Sequence, residues 1–211
     1  MNNKIFIAID AMGGENAPAK NIEGISIFLK RNKEKKDFFF NIYGDVSQIK
    51  KQINKYKISN NFYKIFHSTT VVSDEETPLT AIKNSKDSSM WNAISSQTDF
   101  NSNISLSAGN TGVMFVISRM LLKTIESVSK PALAGLWPNK KNINVVLDLG
   151  ANVECDDKNL VDFAEMGAAL YKALFPNDSV RVALLNIGSE EMKGTEILKK
   201  AHAKLKDISK Y

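Results

Sequence analysis

The sequence predicts an α/β fold built as a doubly wound sheet, on three observations. Short runs rich in β-branched and aromatic residues alternate with stretches of helical periodicity along the chain. Four apolar runs, IAIDAMGG (7–14), LSAGNTG (106–112), VLDLGAN (146–152) and LLNIGSEE (184–191), each feed a small loop of Gly with Asn or Asp. A helix-like segment follows each loop. Strands that alternate with helices pair in parallel, so the loops after their carboxyl ends gather on one edge, where such sheets bind ligands.

Taken in order, the first strand is expected at 4–9 and the first helix at 17–31, and strand 38–43 then leads into helix 46–56. Strand 62–66 precedes a long helix at 79–96, and strand 104–107 feeds helix 112–123. Strand 144–149 feeds helix 159–175, where Leu160, Phe163, Gly167, Leu170 and Leu174 recur at spacings of 3 and 4. That stripe packs on a sheet, with Gly167 permitting close approach. Strand 181–186 feeds the last helix, 190–208, which carries Leu198, Ala201, Leu205 and Ile208 on one face and Glu196 with Lys200 as an i,i+4 pair. Polar stretches 31–37 and 99–103 read as surface connections, so residues 1–211 are expected to form one domain.

Composition narrows the classes. A chain of 211 residues, 43% hydrophobic and 24% charged, lies in the globular range and can bury a sizeable core. Net charge is +5, but lysines are spread along the chain instead of clustering with aromatics, which speaks against nucleic-acid binding. Cys155 is the only cysteine, so no intrachain disulfide is possible. No run approaches the ~20 apolar residues of a membrane span. Asp10 interrupts the amino-terminal apolar stretch, unlike a signal peptide, and a cytoplasmic protein is expected.

The loops carry the candidate chemistry. In LSAGNTG, Gly109 permits an unusual backbone turn and Asn110 or Thr111 can cap a helix starting near Gly112, whose free amides favour an anion such as phosphate. An ordinary capped turn explains the same letters. Asp10, before Gly13 and Gly14, can bond loop amides, orient a lysine or take a proton. The glycines lack GxGxxG spacing, and no GxxxxGK[ST] occurs. Asp148, flanked by Leu147 and Leu149, needs partners if buried, whether as a structural brace or as part of a site with Asn152. Asn186 and Gly188 precede Ser189, a candidate N-cap with Glu190 and Glu191 in the first helical turn, and Lys193 could reach back toward the cleft or simply be solvated. Lys83 and Lys86 with Ser88 and Ser89 suit phosphate or a phosphopantetheine arm, although an amphipathic helix fits them as well. Cys155 lies among Glu154, Asp156 and Asp157, which disfavour a thiolate nucleophile. No cluster has metal-ligand spacing, and no cofactor is expected.

IAIDAMGG, SAGNTG, KPALAGLWP, VLDLGANV, LVDFAEMGAALY and RVALLNIGSEEMKG, in this order and separation, closely resemble the bacterial PlsX family of phosphate acyltransferases from Lys4 to about Ala201. The resemblance implies a Rossmann-like three-layer α/β/α sandwich related to isopropylmalate dehydrogenases and phosphate acetyltransferases. It implies an enzyme of phospholipid synthesis that converts acyl-[acyl carrier protein] and inorganic phosphate to acyl phosphate and free carrier protein. It further implies a homodimer working at the membrane surface, which hands its product to an integral membrane glycerol-3-phosphate acyltransferase. On this reading Asn110, Asp10, Asn152, Asn186 and Lys193 form the catalytic set, and Gly13, Gly14, Lys86, Ser88, Ser89, Gly109, Thr111, Gly112, Asp148 and Gly188 contact substrate. An inactive remnant that binds phosphate or carrier protein, and a nicotinamide-dependent dehydrogenase of related fold, are the alternatives.

The chain departs from the family pattern at Glu15, where Asp is usual, at Lys83 and Lys130, where Arg is usual, at Asn84 and Ser85, which replace basic residues, and at Trp137 for Leu. The family pattern also continues for roughly another hundred residues, a domain-scale piece, so the chain reads as incomplete at its carboxyl end relative to it.

Overall fold

Strand β1 (Ile5–Asp10) lies between β2 (Phe38–Gly44) and β4 (Ile104–Leu106), and β3 (Tyr63–His67) pairs with the far edge of β2. All three pairings are parallel, in the order β3-β2-β1-β4. The computed structural model describes residues 4–34, 37–73, 75–77, 80, 83–140, 142–188, 190 and 192–208. The chain divides into two compact units, Met1–Lys123 and Thr124–Tyr211.

In the first unit, period-two alternation sends β2 side chains to opposite faces. Phe38, Phe40 and Ile42 meet Ile22 and Ile25 of α1 (Ala19–Arg31) and Ile49 and Ile53 of α2 (Val46–Tyr56) in one core. Each such buried side chain contributes about 1.5–3 kcal/mol. On the other face, Ala8 and Tyr43 pack against Ala93 of α3 (Ser89–Thr98). Met90 and Ile94 of α3 join Val113 and Ile117 of α4 (Thr111–Leu122) in a further cluster. Helices on both faces make this unit a three-layer α/β/α sandwich. Asn41, a polar residue within β2, is buried because its amide donates to Asn101 O (2.9 Å) and Ser102 Oγ (3.0 Å).

The expected helix 79–96 is corrected in part: residues 80, 83 and 84 are helical, but 85–88 interrupt the helix, and α3 begins at Ser89, after Asp87 with φ +64° and with Ser88 as N-cap. Residues 79, 81 and 82 of that expectation lie outside the described residues.

The second unit departs further from expectation. The anticipated parallel strand 144–149 is β6 (Ile143–Val146), antiparallel to an unanticipated β5 (Gly135–Pro138). Asn139 and Asn142 close the turn between them, with Asn142 N donating to Asn139 Oδ1 at 2.8 Å. Helix α5 (Asp157–Leu174) starts with a capping box formed by Asp156 and Asn159. A Cβ on Gly167 would lie 3.2 Å from Leu147 Cδ1, the close approach its place in the stripe predicts. The buried stripe runs through Asn159, Phe163, Ala164 and Ala168, while Leu170 and Leu174 are exposed.

Residues 181–186 form no strand. They have no ladder partner among the described residues, and beside them Ile187, like Leu185, is almost wholly exposed. Apolar composition cannot make a strand without a neighbour to take its backbone hydrogen bonds. The last helix, α6 (Glu196–Asp207), starts later than expected, with Thr195 as its cap; Ser189, the anticipated cap, lies outside the described residues. Ala201 is its buried centre, and Glu196 pairs with Lys199 at 3.1 Å instead of with Lys200.

Candidate active site

The β1 and β4 loops are locked together at the carboxyl edge of the parallel sheet. Ile9 pairs with Leu106 in register, so the next residues, Asp10 and Ser107, emerge side by side. Ser107 Oγ donates to Asp10 Oδ2 at 2.6 Å, and Gly109 N donates to Ser107 Oγ at 3.1 Å. The other Asp10 oxygen accepts from Met12 N and Gly13 N, each at 3.2 Å. Of the roles the sequence left open for Asp10, the structure shows the bonding of loop groups. Asn21 of α1 donates its amide to Ala11 O (2.9 Å) and Gly13 O (3.0 Å), which fixes the first loop from behind.

The two glycines are demanded by this approach. A Cβ on Gly13 would sit 2.5 Å from Asp10 Oδ2 and 2.9 Å from Gly109 N. At Gly14, φ is +87° and a Cβ would meet Ala108 O at 2.6 Å.

The interlocked loop leads into α4. Asn110 is its N-cap: Oδ1 accepts from Val113 N at 3.1 Å, and Nδ2 donates to Glu76 O at 3.1 Å. Thr111 and Gly112 follow, both exposed. Amides in a first helical turn have no intrahelical acceptor and lie at the positive end of the helix dipole. The first-turn amides of these two exposed residues are donors of the kind that suits an anion.

The Lys86 to Ser89 segment is placed differently from its expected use. Ser88 is fully buried and its Oγ accepts from Trp91 N at 3.1 Å as the α3 cap. Ser89 is 1% exposed and its Oγ has no hydrogen-bond partner among the described residues. Lys86 is exposed. Met90, next along α3, reaches the site: a Cβ on Gly109 would lie 3.0 Å from its Cε. A groove of about 420 Å³ lined by Phe6, Phe39, Asn41, Lys64, Phe66 and Asn101 lies toward the amino-terminal half of the same strands and includes none of the loop residues.

In the second unit, Asp148 braces loops. Its oxygens accept from Leu133 N (2.8 Å), Ala151 N (3.3 Å), Asn152 N (2.8 Å) and Asn152 Nδ2 (2.9 Å), and the same Asn152 amide donates to Pro131 O (2.8 Å). Partial burial works to raise the Asp148 pKa, but the donors from Leu133, Asn152 and Ala151 outweigh it and hold the carboxyl below its ordinary value. Asn186 closes its own loop, with Oδ1 accepting from Ile187 N (2.8 Å) and Nδ2 donating to Lys193 O (3.2 Å). Gly194, at φ +92°, leaves room for that Asn186 amide, and Gly188 lies beside the Lys193 side chain, which is exposed. Burial, joined by the Asp148 and Asp156 carboxylates and opposed by Lys130, raises the Cys155 pKa, so the thiol is a poor nucleophile. No group of three or more His, Cys, Asp or Glu among the described residues could hold a metal ion.

Within the first unit, then, the fold brings together Asp10, Gly13, Gly14, Gly109, Asn110, Thr111 and Gly112. Within the second, Asp148 joins Asn152, and Asn186 joins Gly188 and Lys193. Sequence reasoning passed over Ser107 and Asn21. The only signal for either was position: Ser107 follows a strand two residues before a glycine, and Asn21 stands in the first turn of a helix.

The α/β/α layering of the first unit has counterparts among solved structures. The EutD phosphotransacetylase from Staphylococcus aureus matches with a TM-score of 0.65 at 11% identity, over 99% of this chain and 67% of that one. A phosphotransacetylase from Streptococcus pyogenes matches at 0.61 and 12% identity, over 89% of this chain and 60% of that one. At those identities the likeness is one of fold. The sequence itself matches the fatty acid synthesis protein family over residues 5–211, and the chain belongs to that family. A phosphate acyltransferase of Pelagibacter ubique is 49% identical over 205 residues, 97% of this chain and 60% of the relative. One from Wolbachia pipientis of Culex pipiens is 38% identical over 208 residues, 98% of this chain and 60% of the relative. The chain thus spans about 60% of the length of these relatives.

Proposed function

We propose that the protein takes part in acyl transfer from acyl-[acyl carrier protein] to inorganic phosphate, giving acyl phosphate and free carrier protein. The observation that carries this reading is the Asp10–Ser107–Gly109 lock in a member of this family, which leads into the first helical turn of α4 at the exposed residues Thr111 and Gly112. Those amides would hold phosphate while one of its oxygens attacks the thioester carbonyl carbon. A C–O bond forms, the C–S bond breaks, and the departing sulfur takes up the proton that the attacking phosphate gives up. Holding the anion against the acyl group supplies proximity, and fixed donors stabilise the charge that develops on the carbonyl oxygen.

In this reading Asn110 keeps the amides aimed and Lys86 supplies exposed positive charge within the first unit, while Asn152, Asn186 and Lys193 keep the catalytic roles, and Asp148 and Gly188 the substrate contacts, that the family resemblance implies. Ser88 and Ser89, buried as they stand, support α3 behind Gly109. The reading includes one functional domain, kinship with isopropylmalate dehydrogenases, a homodimer, peripheral contact with the membrane and transfer of acyl phosphate to a membrane glycerol-3-phosphate acyltransferase. No helix among the described residues is long and apolar enough to cross a membrane.

The test is the loss of acyl-carrier thioester on mixing with the full chain. Consumption that requires added inorganic phosphate, with acyl phosphate as product, supports the proposal. Absence of turnover at high protein concentration, with phosphate bound, would favour a binding role instead.

A further inference from the structure

We propose that Ser107 is a positioning residue of the anion site, a role that rests on the acyl-transfer reading above. A single hydroxyl performs two tasks. It donates its proton to Asp10 Oδ2 at 2.6 Å, and this leaves a lone pair directed to the N–H of Gly109 at 3.1 Å. The chain of polarity runs from the Gly109 amide through the hydroxyl to a carboxylate that is 2% exposed. Donation to a charged acceptor makes the first bond a strong one.

The consequence falls two residues later. Gly109 precedes Asn110, the cap of α4, and the first-turn amides of the exposed residues Thr111 and Gly112 follow directly. With no side chain at Gly109 or Gly13, this stretch has backbone freedom that other residues would not allow. Ser107 removes that freedom at the point where it would blur the direction of the two amides. A preorganised donor pair binds its anion more tightly because the ordering cost is met on folding. Asp10 acts through Ser107 and through its bonds to Met12 and Gly13, and Asn21 holds the opposing loop still.

Loss of the hydroxyl would free the Gly109 amide and leave Asp10 Oδ2 without a donor among the described residues. Calorimetric titration of the full chain with inorganic phosphate, run beside the thioester assay, tests the role. Ser107→Ala should raise the phosphate Kd and the phosphate KM about tenfold, the equivalent of one charge-assisted hydrogen bond. The KM for the acyl-carrier thioester should stay at the wild-type value. Ser107→Thr, which retains a hydroxyl, should recover most of the phosphate affinity. Asp10→Asn should weaken phosphate binding similarly, and combining it with Ser107→Ala should add little. Should Ser107→Ala fail to fold, Asp10→Asn is read in its place.

Wild-type phosphate affinity in both single variants overturns the proposal. So does a proportional loss in every kinetic parameter, which is what a general loss of folded protein produces. A wild-type chain that binds phosphate, loses it on Ser107→Ala and turns nothing over upholds Ser107 and overturns acyl transfer. A wild-type chain that binds no phosphate overturns both.

Discussion

Gly13 is the residue at which the site is most sensitive to a single carbon atom. A methyl group there would contend with Asp10 Oδ2 at 2.5 Å and with the Gly109 backbone nitrogen at 2.9 Å. Neither can yield without opening the loop pair. Gly13→Ala should therefore cost about 1–3 kcal/mol in urea unfolding, as overpacking does, and should weaken phosphate binding as well. Asn110→Ala removes the cap of α4 and should cost about 1 kcal/mol. If Asn110 helps aim the donors, its loss should also slow phosphate-dependent turnover on the order of a hundredfold or more. Asp148 gives a pH prediction. Its carboxyl is held below the ordinary value, so its contribution to stability is fully present above the unfolded pKa of about 3.9 and is lost as pH falls through the lower native value. Asp148→Asn should be less stable at neutral pH and should lose that part of the acid dependence, which melts recorded from pH 7 downward would show.

At the scale of elements, helix boundaries follow caps more closely than hydrophobic periodicity. α2 and α4 start where Asp45 and Asn110 accept from backbone amides three residues on, and the sequence placed both starts within a residue. α3 and α6 start late, at Ser89 and Glu196, because their caps are Ser88 and Thr195. Thr195→Ala should accordingly lower stability by about 1 kcal/mol, seen as a shift in the thermal midpoint together with fraying of the 196–199 turn by amide exchange. The strands divide in the same way. β1 to β4 were legible because each carries its own β-branched or aromatic run, and each found a parallel neighbour. The run 181–186 carries the same signal yet pairs with nothing among the described residues, and β5, with Gly135 and Pro138 at its ends, carries little signal yet pairs with β6.

For the whole molecule, ligand linkage offers a measurement that needs no turnover. If phosphate binds the native chain and not the unfolded one, a concentration a hundredfold above Kd should stabilise it by ~2.7 kcal/mol, raising the thermal midpoint. Sulfate at equal ionic strength separates anion recognition from general salt effects. A midpoint that does not move with phosphate would count against the anion site as placed here.

The sequence by itself determined the α/β alternation, the family, and the loops that carry glycine with Asn or Asp, because periodicity, turn residues and caps are local properties. Tertiary structure decided that Asp10 meets Ser107, 97 residues apart in sequence, that Asp148 spends its oxygens on neighbouring loops, and that Ser88 and Ser89 lie inside. Those outcomes depend on strand register and on which groups remain to satisfy buried polar atoms. Both are fixed only when distant segments pack.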